Sequence, residues 1–208
     1  MNAEANRQRL PQLMLVTDRR ETRGRDLVEV VAEAVAGGVE LVQVREKDLS
    51  DDELLALVTR IRGRVGDGVS ILVNGRPAVA RAAGVGLHLP ADAAAPPGPH
   101  PALYGRSAHD EQEAIVAQRE KASYILLGPI FPTGARSGHA GSGLDLIAVV
   151  SRLVAPTPVF AIGGLTDDRV GMALRAGAHG VAVRSAILAA PEPRLAAEAF
   201  ARALSVAG

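Results

Sequence analysis

Eight short apolar runs recur along the chain, and nearly every one ends in polar or glycine residues. They are Leu13–Val16, Val39–Val42, Ser70–Val73, Val85–Leu87, Leu103–Tyr104, Tyr124–Leu127, Val159–Ile162 and Gly180–Val183. Helical patterns separate them, at roughly 26–36, 51–64, 76–83, 110–120, 143–154, 167–176 and 192–205. Strands covered by helices on the outside read as continuous apolar runs rather than alternating ones. Eight such strands with helices between them predict a single-domain α/β fold, the (β/α)8 TIM barrel, over residues 13–208. Residues 1–12 read as a flexible N-terminal arm. Ala36-Gly37-Gly38-Val39, Ala83-Gly84-Val85 and Ala176-Gly177-Ala178 repeat one helix-to-strand turn. That internal periodicity, roughly 25 residues, favours a closed barrel over an open sheet.

Two segments break the rhythm. The proline-rich stretch 90–101 cannot hold a long helix, because proline removes donors and clashes with the preceding turn. The fourth helix is therefore expected to be short or absent. Residues 128–143 form a long glycine-rich loop, and a lid over the barrel mouth is the preferred reading.

In this fold the C-terminal strand ends carry the active site, and here they carry nearly all the chemically capable side chains. Gly163-Gly164 after the seventh strand and Arg184-Ser185 after the eighth occupy the usual phosphate position. Small residues let backbone N–H groups approach the oxygens, and a helix opening at Ser185 adds its partial positive charge. Tight turns also recruit glycine, so a purely structural role stands beside this one. Gln43-Val44-Arg45-Glu46-Lys47 places Gln43, Arg45 and Lys47 on one side by the period of two. An arginine fork and an ammonium at one mouth suit a phosphate or diphosphate. The competing reading is an ion-pair network with Glu46 or Asp18. His109, just ahead of an acidic helix start, has the intrinsic pKa of a general base near neutrality. Capping that helix is an equally good role for it. His88 ends the fourth strand and reads as easily as a satisfied core histidine; His139 falls in the expected lid.

Composition narrows the classes. Lysine plus arginine equal aspartate plus glutamate, 23 against 23, which disfavours a general nucleic-acid binder. Only Lys47 and Lys121 are lysines, so a lysine at a strand end stands out. The absence of cysteine, of a basic-then-apolar leader and of any apolar run of membrane-spanning length fits a cytoplasmic protein with no membrane partner.

Taken together, these motifs resemble the thiamin phosphate synthase and TenI superfamily over nearly the whole chain. The carriers are Leu15-Val16-Thr17-Asp18, Gln43–Lys47, Asn74-Gly75-Arg76, Gly86-Leu87-His88-Leu89, Ser107-Ala108-His109, Gly128–Thr133, Ala161–Gly164 and Val181–Ile187. The resemblance implies an enzyme of thiamin biosynthesis that binds thiazole phosphate. His109, Arg45 and Lys47 are its catalytic candidates. Gln43, Asn74, Ser107, Thr133, Arg136, Gly163, Gly164, Arg184 and Ser185 are its substrate-binding candidates. Two activities of the superfamily compete. The synthase joins a pyrimidine methyl diphosphate to thiazole phosphate with Mg2+ and releases diphosphate. The TenI-like tautomerase moves a proton in a carboxythiazole phosphate and needs no cofactor. The synthase pattern Asn-Asp-Arg is here Asn74-Gly75-Arg76, which lacks the carboxylate associated with Mg2+. Asp92 is displaced by one position from the second acidic site and serves only if the loop adjusts. Ala135 and Arg136 stand where the synthase offers threonine and lysine. These departures make a TenI-like tautomerase the preferred expectation, with the synthase as the alternative and a non-catalytic ligand-binding or regulatory member third. A homodimer is compatible with the resemblance.

Overall fold

A computed structural model describes residues 10–96, 98–133 and 141–207. Its eight strands are all parallel and close in sequence order: β1 (Leu13–Val16), β2 (Leu41–Val44), β3 (Ser70–Asn74), β4 (Gly86–Leu89), β5 (Tyr104–Ala108), β6 (Tyr124–Leu127), β7 (Val159–Ile162) and β8 (Gly180–Val183). β8 returns to pair with β1, Met14 opposite Ala182. The helices are α1 (Leu27–Ala36), α2 (Asp51–Val65), α3 (Pro77–Ala83), α4 (Glu111–Arg119), α5 (Gly143–Leu153), α6 (Asp167–Arg175), α7 (Ser185–Leu188) and α8 (Pro193–Ala207). The chain is thus the predicted (β/α)8 barrel. Local chemistry starts several helices. Asp26 and Asp110 accept from the first-turn N–H groups of α1 and α4, and Ser50 with Glu53 forms a reciprocal capping box at α2.

Two apolar cores follow from the alternation of side chains. The larger lies between strands and helices and contains Leu15, Val42, Val73, Leu87, Ile125, Ala161 and Val181. The smaller fills the lumen with Met14, Val16, Leu41, Leu72, Tyr124, Leu126, Phe160 and Ala182. Gly105 makes room in the lumen, because a Cβ there would collide with the Tyr124 ring. The three described residues of the expected arm dock on the barrel floor. Leu10 packs on the lumen cluster, Gln12 Nε2 donates to the His179 carbonyl, and Val181 N–H donates to the Gln12 carbonyl. Residues 1–9 lie outside the described residues.

Three strands lie further along the chain than the apolar runs predict. β2 runs through Gln43 to Val44, β4 through His88 to Leu89, and β5 through Arg106 and Ser107 to Ala108. Hydropathy stops at the first polar residue; the strands continue because those polar side chains have partners. Arg106 shows the reason. It points outward, is 4% exposed, and stands beside the β4–β5 connection, where no helix forms among the described residues. Its guanidinium donates to the carbonyls of Pro90 and Ala93 and pairs with Glu120 at 2.9 Å. A charged fork thus anchors a proline-rich segment that cannot pack as a helix.

Candidate active site

The lumen is apolar at its floor and polar toward the C-terminal strand ends. There, side chains from five strands meet: Gln43 (β2), Asn74 (β3), His88 (β4), Ser107 (β5) and Tyr124 (β6). Asn74 Nδ2 donates to Gln43 Oε1 at 3.1 Å. His88 Nδ1 is 2.9 Å from the Tyr124 hydroxyl, and Nε2 is 2.8 Å from Ser107 Oγ. His88 is fully buried, and burial, with Arg106 and Arg45 nearby, pulls its pKa down to about 3. The imidazole is therefore neutral. Burial pushes the Tyr124 phenol well above its ordinary value, and the neighbouring Gln43 amide opposes that shift. Gln43, Asn74 and Ser107 were legible as site candidates. Tyr124 was not, since it opens an apolar run; its signal is the facing Gly105 on the neighbouring strand.

A cationic rim surrounds this floor. Arg45 is half-buried, and no carboxylate lies within ion-pair distance of it among the described residues. Burial and then the Arg184 guanidinium lower its pKa. The Glu46 network expected for it forms elsewhere. Glu46, 4% exposed, accepts from Thr17 Oγ1 at 2.6 Å and from the Arg19 backbone and side chain. Asp18 pairs with Arg20 at 3.0 Å, and that hydrogen bond holds its carboxyl below the usual range. Lys47 is exposed and lines a cavity of about 240 Å³ with Glu46, Asn74, Gly75 and Arg76. Arg184 pairs with Glu21 at 2.9 Å. A larger cavity, about 460 Å³, opens at the opposite strand ends beside Ser70, Val85 and Leu103, away from these groups.

Gly163 and Gly164 both adopt left-handed backbone, φ 98° and 62°. They pack on the β6 loop: a Cβ on Gly163 would meet Pro129 at 2.6 Å, and one on Gly164 would meet Phe131 at 2.8 Å. Ile130 and Phe131 N–H donate to the carbonyls of Ile162 and Gly163. The glycines therefore serve a tight loop–loop junction, beside the exposed Ser185 that opens the four-residue α7. Thr133 is the last described residue before residues 134–140; Arg136 and His139 lie outside the described residues. His109 is half-exposed and turned to its own helix, with Nδ1 and its backbone N–H both 2.9 Å or less from Glu113 Oε2.

Mg2+ takes oxygen ligands, usually one or two carboxylates with phosphate oxygens. Among the described residues no three histidine, aspartate or glutamate side chains gather to hold a metal. Asp18, Glu21 and Glu46 are engaged by arginines. Asp92, exposed on the β4 loop, is a carboxylate that none of these arginines engages. At Gly75 a Cβ would meet only Pro90 Cδ, at 3.9 Å, but its φ of 69° is left-handed backbone that an aspartate would adopt only with strain.

A (β/α)8 barrel with polar side chains and a cationic rim at its C-terminal strand ends defines the class of barrel enzymes that take small anionic ligands at that mouth. The profile of the thiamine monophosphate synthase family matches residues 13–187, and the chain belongs to that family. A relative from Geobacter sulfurreducens is 41% identical over 90% of this chain and 92% of its own. The thiamine-phosphate synthase of Mycolicibacterium smegmatis is 38% identical over 94% of this chain and 93% of its own. Among solved structures, the thiamine phosphate pyrophosphorylase from Pyrococcus furiosus superposes with a TM-score of 0.83 at 28% identity, covering 94% of this chain and 96% of that one. The protein is thus an enzyme of thiamin biosynthesis, and these relatives favour the synthase over the tautomerase that Gly75 had suggested.

Proposed function

We propose that the protein is a thiamin phosphate synthase, joining a pyrimidine methyl diphosphate to thiazole phosphate. The observation that carries this reading is Arg45: a half-buried guanidinium with no carboxylate partner among the described residues, facing a second arginine. A half-buried cation that no ion pair offsets, with further basic side chains at the same mouth, calls for a multiply charged anion. The rim also offers two separate anion regions. Lys47, Arg76 and Asn74 border a cavity between the β2 and β3 loops, and Gly163, Gly164 and Ser185 border the β7 and β8 ends. A substrate pair carrying a diphosphate and a monophosphate uses both.

In the reaction the methylene C–O bond breaks, diphosphate leaves with the electron pair, and the thiazole nitrogen forms the new C–N bond. Arg45 and Lys47 stabilise charge on the departing oxygens. The lumen amide and hydroxyl groups of Gln43 and Ser107 orient the pyrimidine ring. Backbone N–H groups near Gly163, Gly164 and Ser185 hold the thiazole phosphate. Asp92 would be the protein carboxylate toward Mg2+, which would supply charge neutralisation for the diphosphate.

Turnover of both substrates with and without Mg2+ tests the reading. The expected result is diphosphate release that requires both substrates and the metal, increased in Gly75→Asp once folding of that variant is verified. Metal-independent isomerisation of a carboxythiazole phosphate, with no diphosphate release, would overturn it. That tautomerase is the second reading, favoured by Gly75 and by a half-exposed His109 at the mouth. Under it, His109→Asn slows isomerisation by about 10²–10⁴-fold with little change in binding.

A further inference from the structure

We propose that Thr17 and Arg19 act as positioning residues that hold the Glu46 carboxylate away from Arg45 and so keep the Arg45 guanidinium open to a diphosphate. Arg45 and Glu46 are consecutive residues just past the end of β2 at Val44. No strand ladder fixes their side chains there, and Glu46 is the carboxylate that chain proximity offers to Arg45. Burial disfavours a lone guanidinium and Arg184 repels it, so both effects favour such a pair. The fold nevertheless sends Glu46 to the β1 loop.

Thr17 is the pivot. Its hydroxyl donates to Glu46 Oε1 at 2.6 Å, and the same oxygen accepts the Arg45 backbone N–H at 3.0 Å. One fully buried side chain thus holds the backbone of Arg45 and the carboxylate of the next residue at once. The Thr17 N–H donates to the Gln43 carbonyl at 2.9 Å, which fixes the pivot to β2. Arg19 closes the other side. Its backbone N–H lies 3.2 Å from Glu46 Oε1 and 3.0 Å from Oε2, and its Nη1 donates to Oε2 at 3.2 Å. Asp48 in turn holds the Arg19 guanidinium, at 2.7 and 2.9 Å. Both Glu46 oxygens are therefore occupied, and the side chain is 1% exposed. Swinging it to Arg45 would strip the buried Thr17 hydroxyl of its acceptor. Without these contacts an Arg45–Glu46 pair would have to break each time a diphosphate docks, and the apparent affinity would fall with the fraction of open Arg45. The choice of diphosphate as the ligand rests on the synthase reading above.

The experiment is calorimetric titration of the full-length protein with inorganic diphosphate, run as a double-substitution cycle. Thr17→Val removes the hydroxyl and should weaken binding by about 10-fold as Glu46 turns to Arg45, the lower end of what a hydrogen bond to a charged group is worth. Thr17→Ser keeps the hydroxyl and should retain the affinity. In the Glu46→Gln background, where position 46 offers no carboxylate, Thr17→Val should change the affinity by less than about twofold. A Thr17 that merely braces the two loops weakens binding equally in both backgrounds. Equal losses overturn the proposal, as does unchanged affinity in folded Thr17→Val. Should Thr17→Val not fold, Arg19→Gln takes its place in the same cycle, with the same outcomes deciding. Affinity that Arg45→Met leaves unchanged overturns the anion role of Arg45 and the proposal with it. Affinity that follows Thr17 as expected, in a protein without synthase turnover, overturns the functional reading alone.

Discussion

Arg45 shows how one side chain can stand outside the stabilising network and define the chemistry instead. Its neighbours Asp18 and Glu46 are each bound to other arginines, and a second cation, Arg184, faces it. A desolvated charge with no partner contributes nothing favourable to folding. Arg45→Met is therefore expected to leave the melting temperature unchanged or raise it. The same change should weaken inorganic diphosphate binding by about 10- to 100-fold, since hydrogen bonds to charged groups are worth roughly 1.5–3 kcal/mol. Calorimetric titration and thermal unfolding of the two proteins check both halves; a destabilised variant with unchanged diphosphate affinity would assign Arg45 to the scaffold. The residue's place on the mouth follows from the alternation in Gln43-Val44-Arg45. Its lack of a partner does not, because Glu46 is its chain neighbour and only the fold sends that carboxylate to Thr17 and Arg19.

At the scale of elements, the β4–β5 connection is where the barrel departs from its repeat. Every other strand-to-strand crossing carries a helix, and this one is tied down by Arg106 and Glu120. Arg106→Met would leave the carbonyls of Pro90 and Ala93 without their donor and Glu120 without its cation. Breaking a buried pair costs about 3–5 kcal/mol, and because Glu120 is 23% exposed the lower end is expected here. Urea unfolding reads the loss, and amide exchange should rise first across residues 86–96 and 104–108. Uniform loss of protection around the barrel would contradict a local anchoring role. The prolines of residues 90–101 made the lack of a helix among the described residues there legible. The compensating guanidinium was not, because an arginine after an apolar run reads as the end of a strand.

For the whole molecule, the buried polar belt ties stability to pH. An unfolded histidine titrates at about 6.5, whereas burial lowers His88 to about 3 in the fold. Above pH 6.5 both states are neutral there, and the fold keeps its full advantage. As pH falls from 6.5 toward 3, the unfolded chain binds a proton that the folded chain refuses. Stability should therefore decline, by up to about 1.4 kcal/mol per pH unit from this residue. Asp18, depressed by its hydrogen bond to Arg20, adds a loss only below the ordinary carboxylate range. His88→Gln should show a shallower decline than the unsubstituted protein between pH 6.5 and 4 in denaturant titrations. Parallel declines would mean that His88 is protonated in the fold.

The sequence by itself determined the barrel, its strand count, most helix limits and the family, because each depends on local periodicity and on short motifs a few residues long. It also placed Gln43, Asn74, Ser107 and the paired glycines at the functional end, since period two and strand order settle which face and which end a residue occupies. Tertiary structure alone decided the partners. His88 joins Tyr124 and Ser107 across three strands, and His109 turns to Glu113. Glu46 is taken from Arg45, and Gly163 and Gly164 pack on Pro129 and Phe131. The physical reason is that a hydrogen bond is satisfied by whichever group the closed sheet brings within about 3 Å, and closure joins residues that the chain separates by whole β/α units.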